Sequence, residues 1–105
     1  MAFMIDLAWI QSCVIAQNYR YSRHGDRERQ NDALSLDDVE QALLNGRIIE
    51  QYADTGRGES CLLVGFTDAG KPVHVVCGRL GIALVIVTVY IPTPPKFKNP
   101  YERGA

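Results

Sequence analysis

Histidine, tryptophan and methionine are scarce in this chain: two, one and two copies among 105 residues. The three cysteines, Cys13, Cys61 and Cys77, cannot all pair within one chain, and their spacing fits no zinc-binding pattern. A reduced, cytoplasmic setting is expected from them. Charge of one sign is also missing. Eleven Lys and Arg against twelve Asp and Glu leave a net −1, which excludes a protein that coats nucleic acid through general basicity while leaving room for a local basic site. The apolar run 80–91 is too short to span a bilayer as a helix. The apolar stretch 3–16 lacks a basic leader and is interrupted by Asp6, Gln11 and Ser12, so no signal peptide is expected there. What remains is 47% hydrophobic and 22% charged, a globular balance. One domain over 1–105 is expected, because two would each sit near the lower size limit for a self-supporting core.

Periodicity divides the chain in two. Ile5, Trp9 and Cys13, flanked by Leu7, Ile10 and Val14, have the spacing of a helix over about 6–17. A short strand or turn at 19–22 follows, then a polar, arginine-rich helix. Ser35 and Asp38 form a capping-box signature ahead of an amphipathic helix carrying Leu36, Val39, Ala42 and Leu43. Gly46 is expected to end it in the left-handed conformation. Beyond Gly46 come four short segments rich in Val, Ile, Leu, Tyr and Cys, at 47–53, 60–67, 72–79 and 83–91, with turn residues at 54–58, 68–71 and 80–81. The proline-rich tail, 92–105, is expected to run extended across the surface. The class predicted is α+β in two layers: N-terminal helices packed on one face of a three- to four-stranded antiparallel meander sheet.

Charge is uneven along this layout. Residues 20–29 hold four arginines and His24 against Asp26 and Glu28, while 30–60 holds seven acids against two bases. Eight of the eleven cations are arginine, the residue suited to planar phosphate or carboxylate recognition. His24 shares a helix face with Arg20, Arg27 and Glu28, and nearby arginines would suit it to act as a base or hydrogen-bond donor. The alternative is a histidine that caps backbone groups at a helix start. His74 interrupts an apolar strand, and alternation sets it on the face opposite Val73, Val75 and Cys77. With a two-residue turn before β-strand 72–79, Gly65 falls opposite His74 and leaves space over the imidazole. With a three-residue turn after it, Thr88 is the other neighbour and Tyr90 lies one step along. A core histidine bonded to Thr88 is the plainer reading. His74 and Cys77 point apart and cannot chelate together, so no metal or cofactor is expected.

With these segments in place, the chain resembles a family of small bacterial proteins called domain of unknown function 4258. The resemblance runs from about Tyr19 to the C-terminus. It rests on 21–31 (YSRHGDRERQN), the Asp38-Val39 helix start, 56–66 (GRGESCLLVGF), 70–78 (GKPVHVVCG) and 88–97 (TVYIPTPPKF); residues 1–18 lie outside it. Many members carry arginine where this chain has Glu28 and Asp32. The resemblance implies a toxin component of a bacterial toxin–antitoxin pair, partnered by a YgiT-type zinc-finger antitoxin protein, with a layout similar to RelE, BrnT and MqsR ribonucleases.

The function expected is therefore a metal-independent mRNA endoribonuclease. His24, His74 and Tyr90 are the candidates for proton transfer, and Arg20, Arg23, Arg27, Arg79 and Thr88 for RNA binding. Two other readings compete with it. One is a non-catalytic protein-binding module using a sheet edge or the tail with Phe97 and Tyr101. The other is a small-ligand sensor built on the space between Gly65 and His74.

Overall fold

A computed structural model describes residues 4–54 and 58–104. Three helices and one short strand come first, and each helix is started by a side chain that satisfies an otherwise unpaired backbone N–H. In α1 (Leu7–Ile15) the Asp6 carboxylate accepts from Trp9 N at 2.8 Å, and Ile10, Cys13 and Val14 are buried. In α2 (Arg23–Asn31) Ser22 Oγ accepts from Gly25 N, and Gly25 is the one residue fully buried. In α3 (Leu36–Asn45) the capping box forms as its sequence implies: Asp38 N donates to Ser35 Oγ at 3.0 Å and Ser35 N to Asp38 Oδ2 at 2.9 Å. Gly46 ends this helix but not in the left-handed form. Its φ of −82° is ordinary, and the demand for glycine is steric, since a Cβ would lie 2.6 Å from both Ala42 O and Leu63 Cδ2.

The sheet holds β1 (Tyr19–Tyr21), β2 (Arg47–Tyr52), β3 (Ser60–Phe66), β4 (Pro72–Leu80) and β5 (Ala83–Tyr90), in the order β1-β5-β4-β3-β2. Strands β2 to β5 make the expected antiparallel meander. The turn expected over 54–58 falls partly outside the described residues. The expected purely antiparallel sheet of three to four strands needs correction, because β1 pairs parallel to β5 and makes the sheet five-stranded and mixed. Three residues carry too little alternation to announce a strand partner. Tyr19 secures the strand by donating its hydroxyl to the Glu40 carboxylate of α3.

Past Tyr21 the chain turns into α2, which takes over the same edge of β5. Ser22 N reaches Ile86 O at 2.9 Å, Ser22 Oγ reaches Val87 O at 2.8 Å, and Ile91 N donates to Asp32 Oδ2 at 2.8 Å. Strand edges left open invite pairing with other chains; here β1 and α2 together close this one.

Register departs from the expected turns. Residues 67–71 connect β3 to β4, so Val64, and not Gly65, pairs with His74. Only Gly81 and Ile82 separate β4 from β5, and Leu80 pairs with Ala83. A turn shorter by one residue would by itself invert every side chain on β5. A bulge at Val87 inserts one more residue, so the total shift is two and the faces are kept. Tyr90 therefore stands directly opposite His74, and Thr88 opposite Val76.

One sheet face packs on the helices, with Cys61, Leu63, Val73, Val75, Cys77, Leu84, Ile86 and Val89 joining Ile10, Val39, Ala42 and Leu43 in the core. The opposite face is covered in part by the tail. After residues 92–96 the chain forms a small hairpin, β6 (Phe97–Asn99) and β7 (Glu102–Arg103), and Phe97 is buried edge-on against His74 at 4.3 Å between ring centres. The tail thus adds a thin third layer to the two expected. Among the described residues, no helix is long and apolar enough to cross a membrane.

Candidate active site at the junction of α2, β5 and the tail

His74 is fully buried, yet both ring nitrogens have partners. Nε2 lies 2.6 Å from the Pro100 carbonyl and Nδ1 lies 3.2 Å from the Tyr90 hydroxyl. A carbonyl only accepts, so Nε2 carries hydrogen, and Nδ1 of the neutral ring accepts from Tyr90. Burial pushes the imidazole below the usual histidine range. The Pro100 hydrogen bond and the Glu50 carboxylate oppose that shift, while Arg103 and Lys96 add to it. His74 is thereby held neutral with an acceptor facing Tyr90.

Tyr90 is half-buried, and burial raises its phenol above the ordinary value, so the proton stays on. Its other side faces a cleft of about 290 Å³, lined also by His24, Glu28, Thr88, Thr93 and Lys96. Lys96 Nζ stands 5.6 Å from the Tyr90 ring centre. Across the cleft His24 is 65% exposed, with Nε2 3.0 Å from Glu28 Oε1 one helical turn on. The arginines expected around His24 are not its nearest charge; the carboxylate is.

Gly25 brings the two walls together. A Cβ there would meet Ile86 O at 2.6 Å and Val87 O at 3.1 Å, so only glycine lets the first turn of α2 lie against the bulged part of β5. Its neighbour His24 is thereby set beside Thr88 and Tyr90.

The cleft gathers three of the expected residues, His24, Thr88 and Tyr90, with His74 directly behind Tyr90. Arg20, Arg23 and Arg27 are exposed but do not line it. Arg79 sits five residues along β4 from His74, roughly 16 Å at strand rise, and pairs with Glu59 at 3.6 Å. Glu28, Thr93 and Lys96 were not expected in the site. The i,i+4 spacing of Glu28 from His24 was a usable signal; the return of Lys96 from the tail had none.

The space anticipated between Gly65 and His74 is not there. Gly65 is on the helix face, and a Cβ on it would come within 1.9 Å of Ala42 O. That glycine serves close packing of α3 on β3, which removes the ligand-sensor reading. Among the described residues, no group of three His, Cys, Asp or Glu could hold a metal ion.

The tail that covers His74 is latched at its far end. Arg103 Nε and Nη2 donate to the two oxygens of Glu50 at 2.8 Å each, and Tyr52 donates to Glu50 Oε1 at 2.5 Å. These bonds lower the Glu50 carboxyl to about 2, and burial with the Glu50 contact raises Tyr52 to about 12.

A family model described as Domain of unknown function (DUF4258) matches residues 21–91. The match takes in α2, the sheet meander and Tyr90, and the chain belongs to that family. The chain matches no curated protein and no solved structure.

Proposed function

We propose that this DUF4258 member is the toxin component of a bacterial toxin–antitoxin pair, a cytoplasmic metal-independent endoribonuclease acting on mRNA. The observation that carries this reading is the pairing of two proton-transfer devices across one cleft: Tyr90 backed by neutral His74, and His24 held by Glu28.

RNA cleavage without a metal needs a base at the 2′-hydroxyl, an acid at the departing 5′-oxygen and a cation at the phosphate. Tyr90 takes the 2′-hydroxyl proton while passing its own to Nδ1 of His74. The 2′-oxygen attacks phosphorus, the P–O5′ bond breaks, and protonated His24 gives its proton to the 5′-oxygen. Lys96 faces the phosphate charge. The products are a 2′,3′-cyclic phosphate and a 5′-hydroxyl; buried His74 passes its proton back through the Tyr90 hydroxyl to solvent, and His24 takes one up from solvent. A YgiT-type zinc-finger antitoxin would silence the protein by covering this cleft.

The test is induction of the protein in a bacterial host beside His24→Ala and Tyr90→Phe, followed by incubation of the purified proteins with RNA in EDTA. Growth arrest and cyclic-phosphate ends from the parent, lost in the variants, are expected. Normal growth with soluble parent protein would sink the reading. One observation favours a non-catalytic binding module instead. His74 is satisfied at both nitrogens and pins the tail, as a core histidine does. On that reading, arrest or partner binding would survive Tyr90→Phe.

A further inference from the structure

The tail covers only part of the sheet face that carries His74. Beyond it, among the described residues, the same face carries a second hollow of about 510 Å³, with Tyr52, Glu59, Ser60, Val76, Gly78 and Val87 in its lining. Strand register places it beside the cleft: Val76 in the hollow is the cross-strand partner of Thr88 in the cleft, and Val87 precedes Thr88 in the chain. Neighbouring strands are about 4.8 Å apart, so the two sites adjoin.

The lining has a definite chemistry. Val76 and Val87 give an apolar floor. Gly78 keeps that floor low, since a Cβ there would stand 3.3 Å from Val87 Cγ2. Tyr52 forms an aromatic wall, and its hydroxyl is committed to Glu50, which is itself held by Arg103. Ser60 and Glu59 supply polar groups to the lining, with the Glu59 charge partly offset by Arg79. An apolar floor, a fixed aromatic ring and a few polar groups suit a flat heteroaromatic ring, and single-stranded RNA is read through bases stacked on aromatic side chains.

We infer that this hollow holds an unpaired nucleobase of the RNA strand, next to the nucleotide whose phosphate lies in the cleft. The inference rests on the ribonuclease reading and adds the subsite that would set sequence preference. In operation the base stacks on Tyr52 over Gly78 while its polar edge meets Ser60 and Glu59.

The probe is a 2′-O-methyl hexanucleotide of mixed sequence, which lacks the attacking hydroxyl, titrated into isotope-labelled protein while amide shifts and affinity are followed. The expected result is saturable shifts at Tyr52, Val76 and Gly78 as well as at Thr88 and Tyr90. Gly78→Val, which fills the hollow, and Tyr52→Leu, which removes the ring, should each weaken binding about tenfold, the loss of one stacked base. Shifts confined to Thr88, Tyr90 and their neighbours would overturn the subsite and leave the ribonuclease reading standing. No binding at either place would overturn both. Because the shifts are mapped on the parent protein, an unfolded variant does not blunt the test.

Discussion

Tyr90 and His74 face each other directly across β5 and β4, 3.2 Å from hydroxyl oxygen to Nδ1, with the imidazole's far nitrogen 2.6 Å from a main-chain carbonyl of the tail. The arrangement fixes which atom gives and which accepts. It also joins a half-exposed hydroxyl in the cleft to a base that water does not reach.

Replacing Tyr90 by Phe separates the chemical from the structural value of this bond. The hydroxyl is lost and the buried Nδ1 is left without a partner, which costs about 1–3 kcal/mol of stability. The ring contacts with His74 and Phe97 are kept, so the protein should fold. RNA cleavage should fall by roughly 10²- to 10⁴-fold, the usual size of a proton-transfer contribution. Denaturant titration and single-turnover cleavage measure the two effects. A stability loss with unchanged cleavage would make the pair purely structural.

The depressed His74 also predicts how stability depends on pH. The unfolded chain binds a proton at this histidine near its ordinary value of 6.5, whereas the folded chain resists until lower pH. Between those two points the unfolded state holds more protons, so stability is complete above about 6.5 and falls as pH drops toward the folded value. Thermal midpoints measured from pH 8 to 5 should decline over the lower half of that range. His74→Gln, which cannot titrate, should flatten the decline. An identical slope in both proteins would show that His74 is not the group responsible.

The Glu50–Arg103 latch should respond to acid in the same sense but lower on the scale. With Glu50 at about 2, its contribution is complete above the ordinary carboxylate range and is lost as pH falls toward 2. Arg103 is half exposed, so solvent screening limits the pair to about 1 kcal/mol, and Arg103→Gln should cost no more than that. Its clearer effect is on access. Diethyl pyrocarbonate should modify only exposed His24 in the parent and also His74, at a measurable rate, once the tail is unlatched. Equal protection of His74 in both proteins would show that Arg103 does not hold the tail.

How much of this was readable in advance follows the range of each interaction. The α3 cap is set by Ser35 and Asp38, three residues apart, and the four meander strands by local alternation; both are visible in the sequence. So is the face of His74, because alternation needs only its neighbours. The partner of His74 was not, since it depends on a turn length and on the bulge at Val87, which leaves no mark in the largely apolar run 83–91. The parallel pairing of β1 joins Tyr19–Tyr21 to residues more than sixty positions away. The tail's return depends on Phe97 finding His74, and prolines before it suggested the opposite. Asp32 had a sequence signal only as a departure from the family pattern; its role, holding Ile91 N, is a long-range one.

Gly25 offers the sharpest test of how the cleft is assembled, because two known effects there have opposite signs. In an exposed helix, Gly→Ala stabilises by about 1 kcal/mol through propensity. At Gly25 the new Cβ would stand 2.6 Å from Ile86 O, a main-chain atom in the sheet that has no rotamer to yield. Overpacking of that kind costs about 1–3 kcal/mol, so the clash should win and Gly25→Ala should be net destabilising in denaturant titration. The relief available is for α2 to move off β5, which would carry His24 away from Tyr90 while leaving both side chains chemically intact. Cleavage should therefore fall even at temperatures where the variant is fully folded. A variant more stable than the parent would mean that α2 does not sit as close to the bulge as this geometry requires, and the cleft would lose the element that builds it.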